Sequence, residues 1–180
     1  MPGLVEKNFS FNRSEQSLVT SLKQILDFVN EHTHHYKGAS AIHFKAKIII
    51  TELLNNAIKH SGDTETTINV IIDNQKITVK KIDNGPRFEP DGLFTFSIRG
   101  ETITLSSDDL NSLYAVVQND YTIKFICEEN TDKQVVDPNS INEHFGLLII
   151  ARAADEFIYR YDDKTSSNIF QVEFGVMPIA

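Results

Sequence analysis

Two β-branched runs, Thr66 to Asp73 and Lys76 to Ile82, are separated by only Asn74-Gln75. Two residues make a tight turn and leave no room for a crossover, so the runs read as an antiparallel hairpin. The fold therefore contains antiparallel sheet, and the rest of the chain must cover it. The covering pieces are helical. Ser14 is placed to cap a helix in which Leu18, Leu22, Ile25, Leu26 and Val29 recur at helical spacing; it ends near His35, where Lys37-Gly38 supplies the break. A second helix is predicted from Ile42 to His60, with Ala46, Ile49, Ile50, Leu53, Ala57 and Ile58 as its buried stripe and Ser61-Gly62-Asp63 as its stop. Before both, Val5 to Phe11 alternates as a short strand with Phe9 and Phe11 on one face. Towards the C-terminus, Phe145 to Ala154 reads as a helix, Glu156 to Tyr161 and Ile169 to Val176 as strands, and Asp162-Asp163 as a hairpin tip.

Residues 91 to 141 show no sustained period. Leu105 to Val117 is read as a short capped helix, Tyr121 to Cys127 as a strand and Asp132 to Asn142 as a loop. Helices first, a hairpin, a variable segment, then helix and hairpin: this order predicts an α/β (α+β) two-layer sandwich, with a mixed, mostly antiparallel sheet and helices on one face, rather than a doubly wound parallel sheet. The 180 residues suit one domain, read as 1–180. A lone cysteine, Cys127, excludes an intrachain disulfide and a thiolate zinc set, and is read as a small buried apolar residue in a reducing, cytoplasmic protein. No apolar run approaches a membrane span, and the N-terminus does not read as a signal peptide. The formal charge of −8, with no block of bases, argues against nucleic acid as a partner.

Three motifs carry chemistry. In ELLNNAIKH, Glu52, Asn56 and Lys59 or His60 share one helical face, placed opposite the apolar stripe. Alone this is a solvated polar side; chemically, an asparagine carbonyl is a hard oxygen suited to Mg²⁺, and a carboxylate one turn earlier can accept a proton. DNGPRFEP, Asp83 to Pro90, follows a predicted strand. Alone it is a turn; a functional reading has Asp83 accepting hydrogen bonds while Gly85 lets a flat ligand approach the backbone. NEHFGLLIIARAAD opens a helix with Gly146 in its first turn, where free N–H groups and the helix dipole favour an anion. His32, His34 and His35 read as a polar helix end, with no carboxylate or cysteine completing a metal set.

In this order, the motifs resemble those of the GHKL (Bergerat-fold) ATPase superfamily, which includes gyrase, Hsp90 and histidine kinases, and most closely its single-domain branch of anti-sigma-factor serine/threonine kinases. ELLNNAIKH resembles the N box, DNGPRFEP the first glycine box, EHFGLLIIARAADEFIYRY the second, and SSNIFQVEF the closing strand; the likeness covers residues 4–90 and 141–176. It implies ATP and Mg²⁺ as cofactors, Asn56 as metal ligand and Glu52 as general base. Asp83 would receive the adenine amino group with Gly85 beside it, Gly146 would line the phosphate-binding helix start, Asn168 would sit near the adenine edge, and Lys59 and His60 would face phosphate. It also implies a homodimer that sequesters a sigma factor and phosphorylates a serine on an antagonist protein. The alternatives are the catalytic domain of a histidine kinase, for which the chain leaves no room for an upstream helical hairpin, and a degenerate, non-catalytic binding module. Two positions depart from the family pattern: Arg87 stands where many members have a second glycine, and His144 stands where the second box has its first, so that its side chain is expected to crowd the β- or γ-phosphate. The 91–141 segment falls where the family carries its nucleotide lid, and is read as a lid or an insertion.

Overall fold

The computed structural model describes residues 3–11, 15–60, 65–90, 99–107, 110–130 and 144–178. Ser14, Ser61-Gly62-Asp63 and the Asp132–Asn142 loop lie outside these residues. The elements among the described residues are β1 (Val5–Phe11), α1 (Glu15–Thr33), β2 (Tyr36–Lys37), α2 (Ala39–His60), β3 (Thr66–Ile72), β4 (Lys76–Asp83), β5 (Thr102–Ser107), β6 (Asn111–Asn119), β7 (Thr122–Glu129), α3 (Phe145–Ala153), β8 (Glu156–Asp162), β9 (Ser167–Gly175) and β10 (Met177–Pro178). Eight strands form one sheet in the order β1-β3-β4-β9-β8-β7-β6-β5, with every neighbouring pair antiparallel; β2 and β10 form a separate small pair. This is a mixed α/β architecture built on a large antiparallel sheet.

The predicted hairpin is present, with Ile72 opposite Ile77 and the Asp73 carboxylate accepting from the backbone N–H groups of Gln75 and Lys76 to close the turn. Gly38, at φ +74, separates β2 from α2, and its carbonyl accepts from Ala41 and Ile42, so the helix begins three residues before the sequence pattern suggests. The three helices form a row. α1 packs on α2 and α2 on α3, while α1 meets β1 and β3, α2 meets β4, and α3 meets β6, β7 and β8. The strand period of two sorts residues accordingly. Phe9, Ile68, Val70, Ile77, Val79, Phe125, Phe157, Val172 and Phe174 are buried in the core, whereas alternating neighbours such as Lys80, Gln171 and Glu173 stay half-exposed.

The predicted helix over Leu105–Val117 is not formed. β5 and β6 pair antiparallel there, and β7 adds to β6, so this part of the middle segment is a meander that extends the sheet beyond β8. The reason is visible in β6: Leu113, Ala115 and Val117 are buried while Tyr114 and Val116 are half-buried, a period of two. Cys127, expected to be buried, is half-buried on β7 and directs its thiol towards the Asn111 side-chain carbonyl at 3.9 Å. In α2, Leu54 joins the buried stripe and Ile58 is only half-buried.

The alternation sets a test. Leu113→Ala empties a fully buried site and is expected to cost about 2–5 kcal/mol, whereas Tyr114→Ala, on the other side of the same strand, should cost less than half as much. Urea unfolding of both variants measures the difference; equal losses would contradict the strand pairing.

Candidate functional site

On β4 the buried face changes character along its length. Ile77 and Val79 are apolar, and the next two inward positions are Lys81 and Asp83. Their partners on β9 run the same way, from Phe174 and Val172 to Phe170 and Asn168, with Lys81 opposite Phe170 and Asp83 opposite Asn168. Polar groups therefore gather at one end of the covered face. There they line a cleft of about 490 Å³, to which α2 contributes Asn56, Lys59 and His60 and the start of α3 contributes His144 and Leu147. The loop after β4 supplies Arg87, Phe88 and Glu89.

Asn168 organises the loop. Its side-chain N–H groups point at the Asp83 carboxylate (3.1 Å) and the carbonyls of Gly85 (3.0 Å) and Pro86 (3.1 Å), while its carbonyl accepts from the Tyr159 hydroxyl (2.8 Å) and the Phe88 N–H (3.3 Å). Asn84 ties the same turn to the β8–β9 tip by donating to the Thr165 and Ser166 carbonyls. That tip is the predicted one, with the Asp162 carboxylate accepting from Lys164 N and Thr165 Oγ1. Beneath the loop Phe88 packs edge-on against Tyr159 and Phe170 at ring separations of 5.3 and 5.5 Å. Burial pushes the Tyr159 hydroxyl up to about 12, so it stays protonated as a donor.

Lys81 and Asp83 form a buried ion pair, Nζ to Oδ2 2.6 Å, with side chains 3% and 2% exposed. The other oxygen of Asp83 accepts from Gly85 N at 2.9 Å as well as from Asn168. Burial pushes the Asp83 carboxyl up, but Lys81, Gly85 N–H and the Asn168 amide together outweigh it and hold Asp83 below the usual carboxylate range. Burial pulls Lys81 below its ordinary range, against the opposing charge and hydrogen bond of Asp83. The Lys81 ammonium also lies over the Phe170 ring, 4.8 Å from its centre. The sequence motifs omit Lys81. The signal for it was the strand period, which puts Lys81 two residues beyond Val79 and hence inward.

The second group of predicted residues meets at Gly146. A Cβ at this position would stand 2.8 Å from Glu52 Oε2 and 3.5 Å from Asn56 Oδ1, so glycine is what lets α3 approach the two side chains. Glu52 and Asn56 are half-buried against α3, which corrects the expectation that they lie on a solvated face opposite the stripe. α1 packs on one side of α2 and α3 on another, while Ser40, Phe44, Lys47, Asn55 and Lys59 keep a stripe of the helix exposed. Asn56, Lys59, His60, Asp83, His144 and Asn168 thus line the cleft; Glu52 and Gly146 adjoin it through Asn56, and Gly85 is bonded into the turn. His144 is the N-cap of α3 and makes no side-chain capping bond; its ring packs edge-on towards Phe88, 6.3 Å between centres. Arg87 reaches across to the β6–β7 turn, donating to the Asp120 carbonyl and lying over Tyr161 and Tyr121 at 5.1 and 5.5 Å.

Among the described residues no cluster of three or more His, Cys, Asp or Glu could hold a metal by itself, and His32 and His34 instead bond to the carbonyls of Phe28 and Glu31. No helix among them is long and apolar enough to cross a membrane. No protein-family model matches the chain, and comparison with curated proteins finds no match.

The ion pair predicts a pH response. A carboxyl held below its unfolded value near 3.8 stabilises the fold above that value, and the contribution is lost as pH falls through the lower folded one. Asp83→Asn removes it and leaves Lys81 buried without its counter-charge, so about 3–5 kcal/mol should be lost at neutral pH. The gap to wild type should narrow below about pH 4. Urea midpoints across pH 2–7 check both; a gap that does not shrink in acid would contradict the assignment.

Proposed function

We propose that this protein is a nucleotide-binding regulator of the GHKL type, in which the cleft takes a purine nucleoside triphosphate with Mg²⁺, ATP in the reading the resemblance implies, and transfers its γ-phosphoryl group to a serine of a partner protein. The observation that carries the reading is the convergence of three separate motifs, through Asn56, Asp83 and His144, on one cleft, with Glu52 and Gly146 in contact behind it. The resemblance rests on the order of these motifs along the chain; their meeting in space is independent support. The eight-stranded antiparallel sheet with a row of helices is compatible with a Bergerat-type sandwich, and the β5–β7 meander then stands within the segment where that fold carries its lid.

The residues fit the chemistry. Mg²⁺ binds through one or two hard protein oxygens together with substrate phosphates, so the Asn56 carbonyl is a suitable single ligand and a three-carboxylate cage is not required. Bound there, the metal would neutralise charge on the phosphates. His144, the N-cap of α3, makes no side-chain capping bond, and the N–H groups of that first turn would face an anion in this reading. Lys59 in the last turn of α2 adds positive charge to the same cleft, and His60 stands beside it. In this reading Glu52, one turn before Asn56, would accept the proton of an attacking hydroxyl. In a chain of charge −8, the cleft gathers Lys59, Lys81 and Arg87 beside Asp83 and Glu89. The partners expected from the resemblance are a sigma factor and a serine-bearing antagonist, and the working form a cytoplasmic homodimer. A second reading, a non-catalytic binding module, is favoured by the Lys81–Asp83 pair, which engages the carboxylate that the resemblance leaves free for adenine.

The test is calorimetric titration of the chain with Mg·ATP and Mg·GTP. Saturable binding of either supports the proposal, and no heat at millimolar nucleotide leaves the binding module in its place. Two substitutions then separate the roles. Asn56→Ala should weaken Mg²⁺-dependent binding about tenfold or more, and Glu52→Gln should leave binding within about threefold while phosphoryl transfer to the antagonist falls at least a hundredfold. Gly146→Ala should displace Glu52, because the new methyl would meet a flexible carboxylate end at 2.8 Å. Its unfolding free energy should change by no more than about 1 kcal/mol, since helix propensity gained offsets the crowding, while transfer falls as for Glu52→Gln. A Gly146→Ala protein with full transfer would place the base elsewhere.

A further inference from the structure

The eight-stranded sheet ends at β1 on one side and at β5 on the other. The two edges differ. β5 shifts register between Thr104 and Ser106, a bulge of the kind that interrupts a ladder and turns an edge away from further strands. β1 has no such device: it pairs with β3 over all seven residues without a shift and contains no proline. Its two charges are engaged within the chain. Glu6 accepts from the Asn69 side chain at 2.7 Å, and the Lys7 ammonium lies over the rings of Phe9 and Phe28, 5.1 and 5.5 Å from their centres. Among the described residues no strand pairs with the outer side of β1, and an unbroken row of backbone N–H and C=O groups is a template for one.

Beside that edge, β1 and α1 line a groove of about 490 Å³. Phe9 and Phe28 make it apolar, and Gln24, Asp27 and Glu31 stand along α1 at the spacing of one helix face. Asp27 and Glu31 are exposed and have no ion-pair partner among the described residues. We propose that this groove and edge take β1 of a second copy of the chain, so that two sheets join into one across a two-fold axis. The strand is complementary to itself. An antiparallel pair of identical edges has its axis normal to the sheet, which keeps both helix layers on one side and sets inward residues opposite inward ones. Centred on Asn8, the pairing uses the whole strand: Val5 meets Phe11, Glu6 meets Ser10 and Lys7 meets Phe9 of the other copy, with no like charges opposed. Centred on Lys7 it would set two ammonium groups opposite each other, and centred on Phe9 it would leave Val5 and Glu6 unpaired. With Lys7 of the second copy opposite Phe9, its long side chain enters the groove and reaches the acidic rim formed by Asp27 and Glu31. The assignment does not use the nucleotide reading.

Analytical ultracentrifugation of the whole chain, without nucleotide, is expected to give twice the chain mass of 20.4 kDa. Charge reversal then locates the contact. Lys7→Glu sets acid against acid, and Asp27→Lys combined with Glu31→Lys sets base against base, so each variant alone should self-associate at least about tenfold more weakly than wild type. Mixing the two variants restores opposite charges at both symmetric contacts, and the mixture should form a heterodimer as tight as the wild-type dimer. A monomeric wild type, variants that associate as tightly as wild type, or a mixture that does not pair overturns the inference. If either variant does not fold, amide hydrogen exchange of the wild type decides: slow exchange of the β1 amides that face away from β3 supports the pairing, and exchange at the rate of exposed amides overturns it. Since nucleotide takes no part, failure of the cleft to bind one leaves this result unchanged.

Discussion

Strand alternation along the β4–β9 pair governs both the core and the cleft. The same inward-facing register that carries Ile77 and Val79 under the helices continues without interruption to Lys81 and Asp83, and its partners pass from Phe174 and Val172 to Phe170 and Asn168. At one end, burial of apolar area holds sheet and helices together. At the other, the covered face holds charges, whose transfer from water is costly unless each finds its partners. Tyr159 and Asn168 supply that compensation: the hydroxyl fixes the amide, and the amide fixes the turn that contains Asp83, Gly85 and Pro86. Removing one member therefore loosens several others, and the loop is shaped by its hydrogen bonds more than by the turn preferences of Asn-Gly-Pro.

Much of this was legible in the sequence, for identifiable reasons. The hairpin from Thr66 to Asp83, the helices around Leu22–Val29 and Ala46–Ala57, and the closing β8–β9 pair each show a clean period and a turn signal of their own. The stretch from Leu105 to Val117 was misread as helix because its apolar residues satisfy several spacings over a short span; cross-strand pairing on both sides of β6 decides in favour of the strand. The polar side of α2 was read as one solvated face, and in the structure it divides: Ser40, Lys47, Asn55 and Lys59 are exposed, while Glu52 and Asn56 are half-buried. Where α3 packs on α2, Glu52 and Asn56 stand against Gly146.

The site residues that sequence reasoning brought forward are those with local punctuation: Asp83 before Asn-Gly-Pro, Gly146 at a helix start, Asn56 within a polar run. Lys81 has none. A lysine in a strand reads as solvated by default, and only continuing the alternation from Ile77 places it inside. Asn168 was legible as a polar residue in a closing strand; its role as the bond centre of a distant loop depends on the pairing of β4 with β9, a contact between positions 85 residues apart.

The arginine that stands in place of a glycine in the resembled pattern is linked by geometry to the strands of the middle segment. An arginine in the loop after β4 brings a long cation to the rim of the cleft, where it would compete for space with any ligand. Here the guanidinium is drawn outwards: it donates to the Asp120 carbonyl and lies over Tyr121 at the β6–β7 turn and Tyr161 on β8. Two of these three contacts come from the meander that extends the sheet, so the β6–β7 turn supplies the seat that the arginine takes. Cation–π contact with two tyrosines and a hydrogen bond to a backbone carbonyl also tie the turn to the cleft rim. The rim residue and the meander are thus held together at the β6–β7 turn.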